Sequence, residues 1–495
     1  ISGQVKRETI ASLNAPKLRQ MGDQEAPICE IVSPIVKDAQ LIDEVVDLVP
    51  VIERSIEKCI SGRPGPVWYD IPLDIQSHMF PIPENNLSPL PEETFPKAST
   101  TELGKFFEML NISERPIILL GNGARVSNNL DLMYQFISAV NIPVLTGWNA
   151  HDIVPNDHPL YAGRPGTVGD RAGNINLQKS DLVLVLGSRL NIRQISYNYE
   201  NFAKNAKIIM VDIDKEELQK PTLNIDLPIH SDLGYFLKMV LNSKPKIKKL
   251  EKKGLFTNTC KRIVAELASY EKYVSDTDQI NPYNFLRDVT DTAEPGTTFV
   301  CGNGAACVMT FQVAKIKART RLYTNSGCAA MGYDLPAAIG AAVKGDKVVC
   351  FAGDGSIMMN IQELQTLKSQ QLDVKLFIIN NGGYLSIKQT QNNFFSDNLH
   401  GTGPNNGVDF PDFIEVGKAF GIKTTKIVGH YSINLITDIL TRKGPELIEV
   451  MVDPDQFFEP KLSARILGNG QMLSPSLEDM SPFMDREELA KYMNL

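Results

Sequence analysis

Lys347-Val348-Val349-Cys350-Phe351-Ala352-Gly353-Asp354-Gly355-Ser356 decides how this chain is read. An unbroken apolar run is what a strand buried on both faces requires, and such strands belong to parallel sheets covered by helices. The run stops at a glycine, so Asp354 and Ser356 fall at a strand's carboxyl end, in the crevice where open α/β sheets take their ligands. Glycines let backbone come close to a phosphate, and the helix that follows points its positive N-terminus at the same place.

A second buried-strand pattern, Val374 to Ile379, delivers Asn380-Asn381-Gly382-Gly383 to the same edge. Mg²⁺ takes hard oxygens in octahedral array, a few from protein and the rest from phosphate and water. The Asp354 carboxylate, the Asn381 amide oxygen and the Gly383 carbonyl are the candidate metal ligands for a diphosphate-bound ion. Either motif alone reads as an ordinary turn; both together, each after a buried strand, point to one site.

Outward from this centre, a length of 495 residues suggests about three domains. Residues 1–80 read as the closing part of an α/β domain, with a strand over Ile28–Val36, a helix over Leu41–Ile60 and a strand at Val67–Pro72. A proline-rich linker runs from Phe80 to Ala98. Residues 98–243 alternate strand and helix patterns as a Rossmann-like domain, 270–460 repeat the pattern as a diphosphate- and Mg²⁺-binding domain, and 461–495 form an arm over a neighbour or over the site. The expected fold class is α/β, with three doubly wound parallel sheets.

A net charge of −8 and scattered basic residues argue against nucleic acid as a partner. The lysine cluster Lys244 to Lys253 reads as a solvated linker. Seven cysteines without a CxxC pair suggest reduced thiols and a cytoplasmic location. No apolar run suits a membrane span or a signal core.

The paired motifs resemble the thiamine-diphosphate (ThDP) signature. Thr324-Asn325-Ser326-Gly327-Cys328-Ala329-Ala330-Met331-Gly332-Tyr333-Asp334-Leu335-Pro336-Ala337-Ala338-Ile339-Gly340-Ala341 resembles the segment under the thiazolium ring in the acetolactate synthase family, and Ser61 to Gln76 the end of that family's pyrimidine-binding domain. The resemblance covers essentially the whole chain. It implies that Met331 bends the cofactor and that the Ala329 carbonyl accepts a hydrogen bond from the 4′-amino group. The cofactor would lie against Gly304, Ala305, Ala306, Met331, Gly353, Asp354, Gly355, Ser356, Asn381, Gly383, Tyr384 and Leu385. ThDP adds through its thiazolium C2 to the carbonyl of a 2-keto acid and takes up the electrons released with CO₂.

Departures from the family's pattern matter. Its usual Gln-His is Ala305-Ala306 here, which leaves backbone donors only. The resemblance places the activating glutamate upstream of Ser2, outside this sequence, so that residues 1–80 are expected to hold only the later part of the pyrimidine domain. Gln24, beside Glu25, resembles the substrate-side loop. Thr390 stands where acetolactate synthases usually carry Trp, which opens space for a bulkier acceptor. Gly121-Asn122-Gly123-Ala124-Arg125, Gly163-Arg164-Pro165-Gly166-Thr167 and Gly187-Ser188-Arg189 resemble FAD-contacting stretches, so FAD is a candidate second cofactor.

The expected function is a carboligase that decarboxylates pyruvate or another 2-keto acid and transfers the two-carbon unit to an acceptor carbonyl, either pyruvate or a keto sugar nucleotide. A decarboxylase or lyase without ligation, and a non-catalytic ThDP-binding subunit, are the alternatives. The resemblance implies a homodimer or homotetramer with its sites at the dimer interface.

Overall fold

A computed structural model describes residues 1–45, 48–79, 95–248, 251–268, 273, 278–395, 398–466 and 472–494. Most of the expected Phe80–Ala98 linker and part of the tail fall outside them. The chain forms two compact units, one of 1–97 with 213–215 and 230–232, the other of 98–212, 216–229 and 233–495.

The first unit carries strands β1 (Ser2–Gln4), β2 (Asp38–Leu41) and β3 (Val67–Pro72), with β3 in the middle and both pairings parallel. Ile42, Val51, Tyr69 and Ile75 form its core. Two expectations need correction here. The stretch expected as a strand over Ile28–Val36 is instead a helix, Ile28–Val32, followed by a 3₁₀ turn, Ser33–Ile35. Pro27 and Pro34 cannot donate to a ladder, and strand pairing passes to Asp38–Leu41. The helix expected from Leu41 starts only at Leu48, because Leu41 is taken up by β2.

The second unit holds two large sheets and a short antiparallel pair, Arg465–Ile466 with Met472–Leu473. The first comprises β4 (Pro116–Leu120), β5 (Val144–Thr146), β6 (Leu182–Leu186), β7 (Lys207–Asp212) and β8 (Leu227–His230), in the order β5-β4-β6-β7-β8. The second comprises β9 (Thr298–Cys301), β10 (Arg321–Thr324), β11 (Val348–Gly353), β12 (Val374–Asn380), β13 (Lys423–Ile427) and β14 (Glu446–Met451), in the order β10-β9-β11-β12-β14-β13, parallel throughout. Side chains alternate along a strand, so a two-sided core demands apolar residues at every position. Val349 and Phe351 enter one cluster with Phe377 and Ile379, while Val348, Cys350 and Ala352 enter the opposite one with Leu376 and Ile378. In both sheets the chain steps to one side after the first strand and then returns to the other side. The two switch points therefore lie between β9 and β11 and between β4 and β6.

The lysine cluster is also more than a solvated linker. A 3₁₀ turn, Lys244–Lys246, precedes a helix, Glu251–Leu267, that buries Phe256, Cys260, Ile263 and Leu267 at three- and four-residue spacing, along with the stem of Lys253. The tail lies on its own chain: Arg171 donates to the carbonyls of Met480 and Pro482, and Gln178 to Glu478. Among the described residues no helix is long and apolar enough to cross a membrane.

Residues 147–152 join the two sheets. Asp152 accepts from Arg125 (2.8 Å), Arg321 (3.0 Å) and the Leu322 amide (2.9 Å). Trp148 stacks on Phe311 with centroids 4.0 Å apart, and His151 meets the same ring edge-on at 5.0 Å. Arg164, buried, donates to the carbonyls of Phe311 (2.6 Å) and Ala314 (2.7 Å). Burial first, and the Arg164 charge second, push the His151 pKa well below the usual histidine value, and neither ring nitrogen has a partner.

His151 is thus neutral in the folded chain, whereas an unfolded chain protonates it below about pH 6.5. Its contribution is complete above that pH and is lost on acidification by up to about 1.4 kcal/mol per pH unit. His151→Phe, which keeps a ring against Phe311, is expected to flatten the fall in urea-unfolding midpoint between pH 7 and pH 5. Parallel losses in both proteins would contradict this.

Candidate active site

Three loops leave the carboxyl edge of the sheet at the β9–β11 switch point. After β9, Gly302 and Asn303 lead into the helix Gly304–Val313; after β11, Gly353 leads into Asp354–Ile357; after β12, residues 381–384 lead into Leu385–Phe395. The first amides of a helix lack intrahelical partners, and those of Gly304–Val313 follow directly on the end of β9. A Cβ added at Gly304, Gly353 or Gly382 would meet nothing within 4 Å, so the backbone here borders open space. Gly304 and Gly382 also need positive φ (65° and 72°).

The Asp354 carboxylate is buried and ties two strand ends together. Oδ1 accepts from the Gly355 amide (2.7 Å), and Oδ2 from the amides of Asn381 and Gly383 (3.1 Å each). Burial pushes its pKa up to about 7, opposed by the surrounding amides of Gly355, Gly383, Asn381 and Gly382. One terminal atom of the Asn381 carboxamide lies 3.1 Å from Asp354 Oδ2 and 2.8 Å from the Gly383 carbonyl oxygen. With nitrogen in that place the amide donates to both neighbours. With oxygen there, three oxygens converge, an arrangement that only a cation stabilises. Ligands in adjacent corners of an Mg²⁺ octahedron, about 2.0–2.1 Å from the metal, sit about 2.9 Å apart, so the spacing fits this ion. Among the described residues no cluster of three His, Cys, Asp or Glu side chains offers a competing metal site.

The glycines of the site are set by close packing. A Cβ at Gly355 would lie 2.1 Å from Tyr384 Cε1, and one at Gly383 would lie 1.9 Å from the Thr402 carbonyl oxygen. Leu385 is buried, and the amide of the preceding Tyr384 donates to the Thr402 carbonyl (2.9 Å). Behind the loop after β12, buried Glu449 accepts from Asn380 Nδ2 (2.8 Å), and Asn380 Oδ1 accepts from the Gly382 amide (3.0 Å).

Ala329 and Met331 occupy the turn between β10 and the helix Asp334–Val343. Ala329 takes φ +54°, an uncommon conformation for alanine, and its amide donates to Asn325 (2.7 Å). The turn is pinned on both sides of Gly332: its amide donates to Ser356 Oγ (2.9 Å) and its carbonyl accepts from Asn360 (2.7 Å). Ala305 and Ala306 open the helix after β9 and bring no polar side chain. Gln24 belongs to the first unit, at φ +62°. Its neighbour Glu25 is occupied by the amides of Ala11, Met21 and Gly22, and the latter two chiefly hold its pKa below the usual carboxylate value.

The second switch point differs. A Cβ at Gly121 would come within 2.3 Å of the Gly187 carbonyl oxygen, and one at Gly187 within 2.7 Å of the Ala124 nitrogen. The amides of Arg164, Gly166, Thr167, Gly169 and Asp170 all donate within the protein. The amides of this stretch are thus taken up by the protein itself.

Sequence reasoning missed Asn149, Asp334, Asn360, Thr402 and Glu449. Asn149 sits at φ +58° against the hydroxyls of Thr324 and Ser326. A lone carboxylate heading an apolar helix, as at Asp334, is the one signal that pointed to any of them.

Gly383→Ala is expected to weaken Mg²⁺-dependent ThDP binding by about 100-fold, the scale on which disturbed metal geometry acts. Calorimetric titration checks this, with far-UV circular dichroism to confirm the fold. Unchanged affinity would contradict the oxygen cluster as the metal site.

Residues 103–240 match the family described as "Thiamine pyrophosphate enzyme, central domain", and residues 302–450 match "Thiamine pyrophosphate enzyme, C-terminal TPP binding domain". The chain is 30% identical over 448 residues to the acetolactate synthase isozyme 1 large subunit of Escherichia coli K12, covering 88% of this chain and 76% of that protein. It is 30% identical over 476 residues to the chloroplastic acetolactate synthase 1 of Zea mays, covering 93% and 72%. Against the acetolactate synthase large subunit of Lactococcus lactis the identity is 29% over 445 residues, covering 89% and 76%. Two sheets with matched switch points, one bordered by an oxygen cluster suited to Mg²⁺, and these similarities together lead to one statement: the chain belongs to the thiamine pyrophosphate enzymes of the acetolactate synthase family.

Proposed function

We propose that this enzyme decarboxylates pyruvate or a close 2-keto acid and transfers the resulting two-carbon unit to the carbonyl of an acceptor larger than pyruvate, such as a keto sugar nucleotide. The convergence of Asp354 Oδ2, the Asn381 carboxamide and the Gly383 carbonyl carries the cofactor part of this reading. These three groups would hold Mg²⁺ on the diphosphate. Bound ThDP would supply the carbon nucleophile and electron sink. The first amides of the helix Gly304–Val313, with the Ser356 amide, would receive the phosphate oxygens, in place of side chains that Ala305 and Ala306 do not offer. Met331 would support the ring from its pinned turn, and the Ala329 carbonyl would accept the 4′-amino hydrogen bond. Gln24 would act from the pyrimidine side, in a homodimer or homotetramer.

Thr390 supports the larger acceptor. Its hydroxyl turns back to the Ser386 carbonyl of its own helix (3.0 Å), and Ser386, Ile387 and Thr390 are exposed. A short side chain folded onto its helix leaves the volume of an aromatic ring free for the acceptor.

Full-length protein with ThDP, Mg²⁺ and pyruvate is expected to release CO₂ and, with a keto sugar nucleotide added, to form a product heavier than that acceptor by the elements of acetaldehyde, C₂H₄O, on mass spectrometry. Acetolactate as the preferred product would overturn the acceptor assignment. Free aldehyde without ligation would establish a lyase, and no CO₂ would contradict the reading altogether.

A further inference from the structure

We propose that Asp334 is a positioning residue that locks the Met331–Gly332 turn to the diphosphate loop through the hydroxyl of Ser356. The proposal rests on the ThDP reading of the site. Asp334 heads the helix Asp334–Val343 with 1% of its surface exposed. Its Oδ2 accepts from Ser356 Oγ at 2.5 Å, and its Oδ1 accepts from the Leu335 amide at 3.0 Å. Ser356 Oγ accepts in turn from the Gly332 amide at 2.9 Å. A third loop closes on the same group, since a Cβ at Gly302 would lie 2.5 Å from Asp334 Oδ2. One carboxylate therefore touches the loop after β9 directly, the loop after β11 through Ser356, and the turn carrying Met331 at one further bond.

The chemistry of the hydroxyl explains why a carboxylate is needed. Serine has one proton to give and two lone pairs. Asp334 takes the proton, which aims a lone pair at the Gly332 amide and denies the proton to the crevice. Without that acceptor the hydroxyl is free to rotate and to donate towards phosphate or a neighbouring carbonyl, and the Gly332 amide loses its fixed partner. Burying a carboxylate at the head of a helix that also buries Leu335 and Ala338 is costly, and burial raises its pKa while the bonds from Ser356 and Leu335 oppose that rise. A group with no task beyond filling space there would be apolar. The consequence is geometric coupling: the turn under the thiazolium ring keeps register with the loop that holds the diphosphate and metal. A cofactor seated by its phosphates is thereby presented to Met331 at a fixed height.

The test uses the full-length holoenzyme and the variants Asp334→Ala, Asp334→Asn, Ser356→Ala and the Asp334→Ala/Ser356→Ala double. ThDP affinity at saturating Mg²⁺ is measured by titration. Hydrogen–deuterium exchange at C2 of the bound cofactor is followed by NMR, a readout that needs no substrate. Each alanine variant is expected to slow exchange by about 100-fold, the effect of misplacing reacting groups by about 1 Å, while ThDP affinity stays close to wild type. The double variant is expected to be no slower than either single one, because both break the same link. Asp334→Asn, whose amide oxygen can still accept from Ser356, is expected to recover most of the rate, and it carries the test with Ser356→Ala if Asp334→Ala does not fold. Wild-type exchange in Asp334→Ala, additive losses in the double variant, or a loss confined to ThDP affinity would overturn the proposal. Failure of the wild-type protein itself to bind ThDP with Mg²⁺ would overturn the reading beneath it as well.

Discussion

Everything at the candidate site depends on the Asp354 carboxylate being held between two strand ends. It sits at the mouth of β11 and accepts from two amides of the loop after β12, so the two parallel strands cannot shift without breaking those bonds. Burial works against the charge, and the ring of amides works for it. A divalent cation adjoining the three oxygens would tip the balance fully to the carboxylate. The same carboxylate thus closes the fold locally and would serve a metal ion there.

The two large sheets of the second unit put the same topology to different use. Each reverses its strand order, and each carries glycine-rich turns at the reversal. At β4 and β6 the glycines serve chain-on-chain contact, with Gly121, Gly123 and Gly187 interlocked. At β9 and β11 the corresponding glycines, Gly304 and Gly353, border open space. Glycine content alone does not separate these cases; what separates them is whether backbone or emptiness faces the missing side chain. The interlocked region instead extends residues 147–152 towards the other sheet, where Asp152, Trp148 and His151 join the two.

Much of this was legible in the sequence because the central strands are apolar at every position. Val348–Gly353 and Val374–Asn380 announced themselves, and the loops after them followed. Less was legible where neighbours decide. Arg321–Thr324 is short and half polar, and becomes a strand only by pairing with β9. Ile28–Val32 looked like a strand by composition, yet its flanking prolines and the pairing of Asp38–Leu41 made it helical. The groups behind the site, Asp334 and Glu449, act through contacts with residues far away in sequence, Ser356 and Asn380, and no local pattern encodes such a contact. Ser356 itself was read as a phosphate ligand; its hydroxyl is engaged by Asp334 and Gly332, which leaves its backbone for that role.

Asp354, Asn381 and Gly383 are proposed to form one preorganised Mg²⁺ site for a diphosphate. Crystals of the full-length protein grown with ThDP and Mn²⁺ in place of Mg²⁺ test it directly, because the manganese anomalous signal locates the ion without assumption. A single strong peak is expected about 2.1 Å from Asp354 Oδ2, the Asn381 amide oxygen and the Gly383 carbonyl oxygen, with phosphate oxygens completing the octahedron. A peak elsewhere, or a diphosphate bound with the Asn381 amide still donating to Asp354, would contradict it.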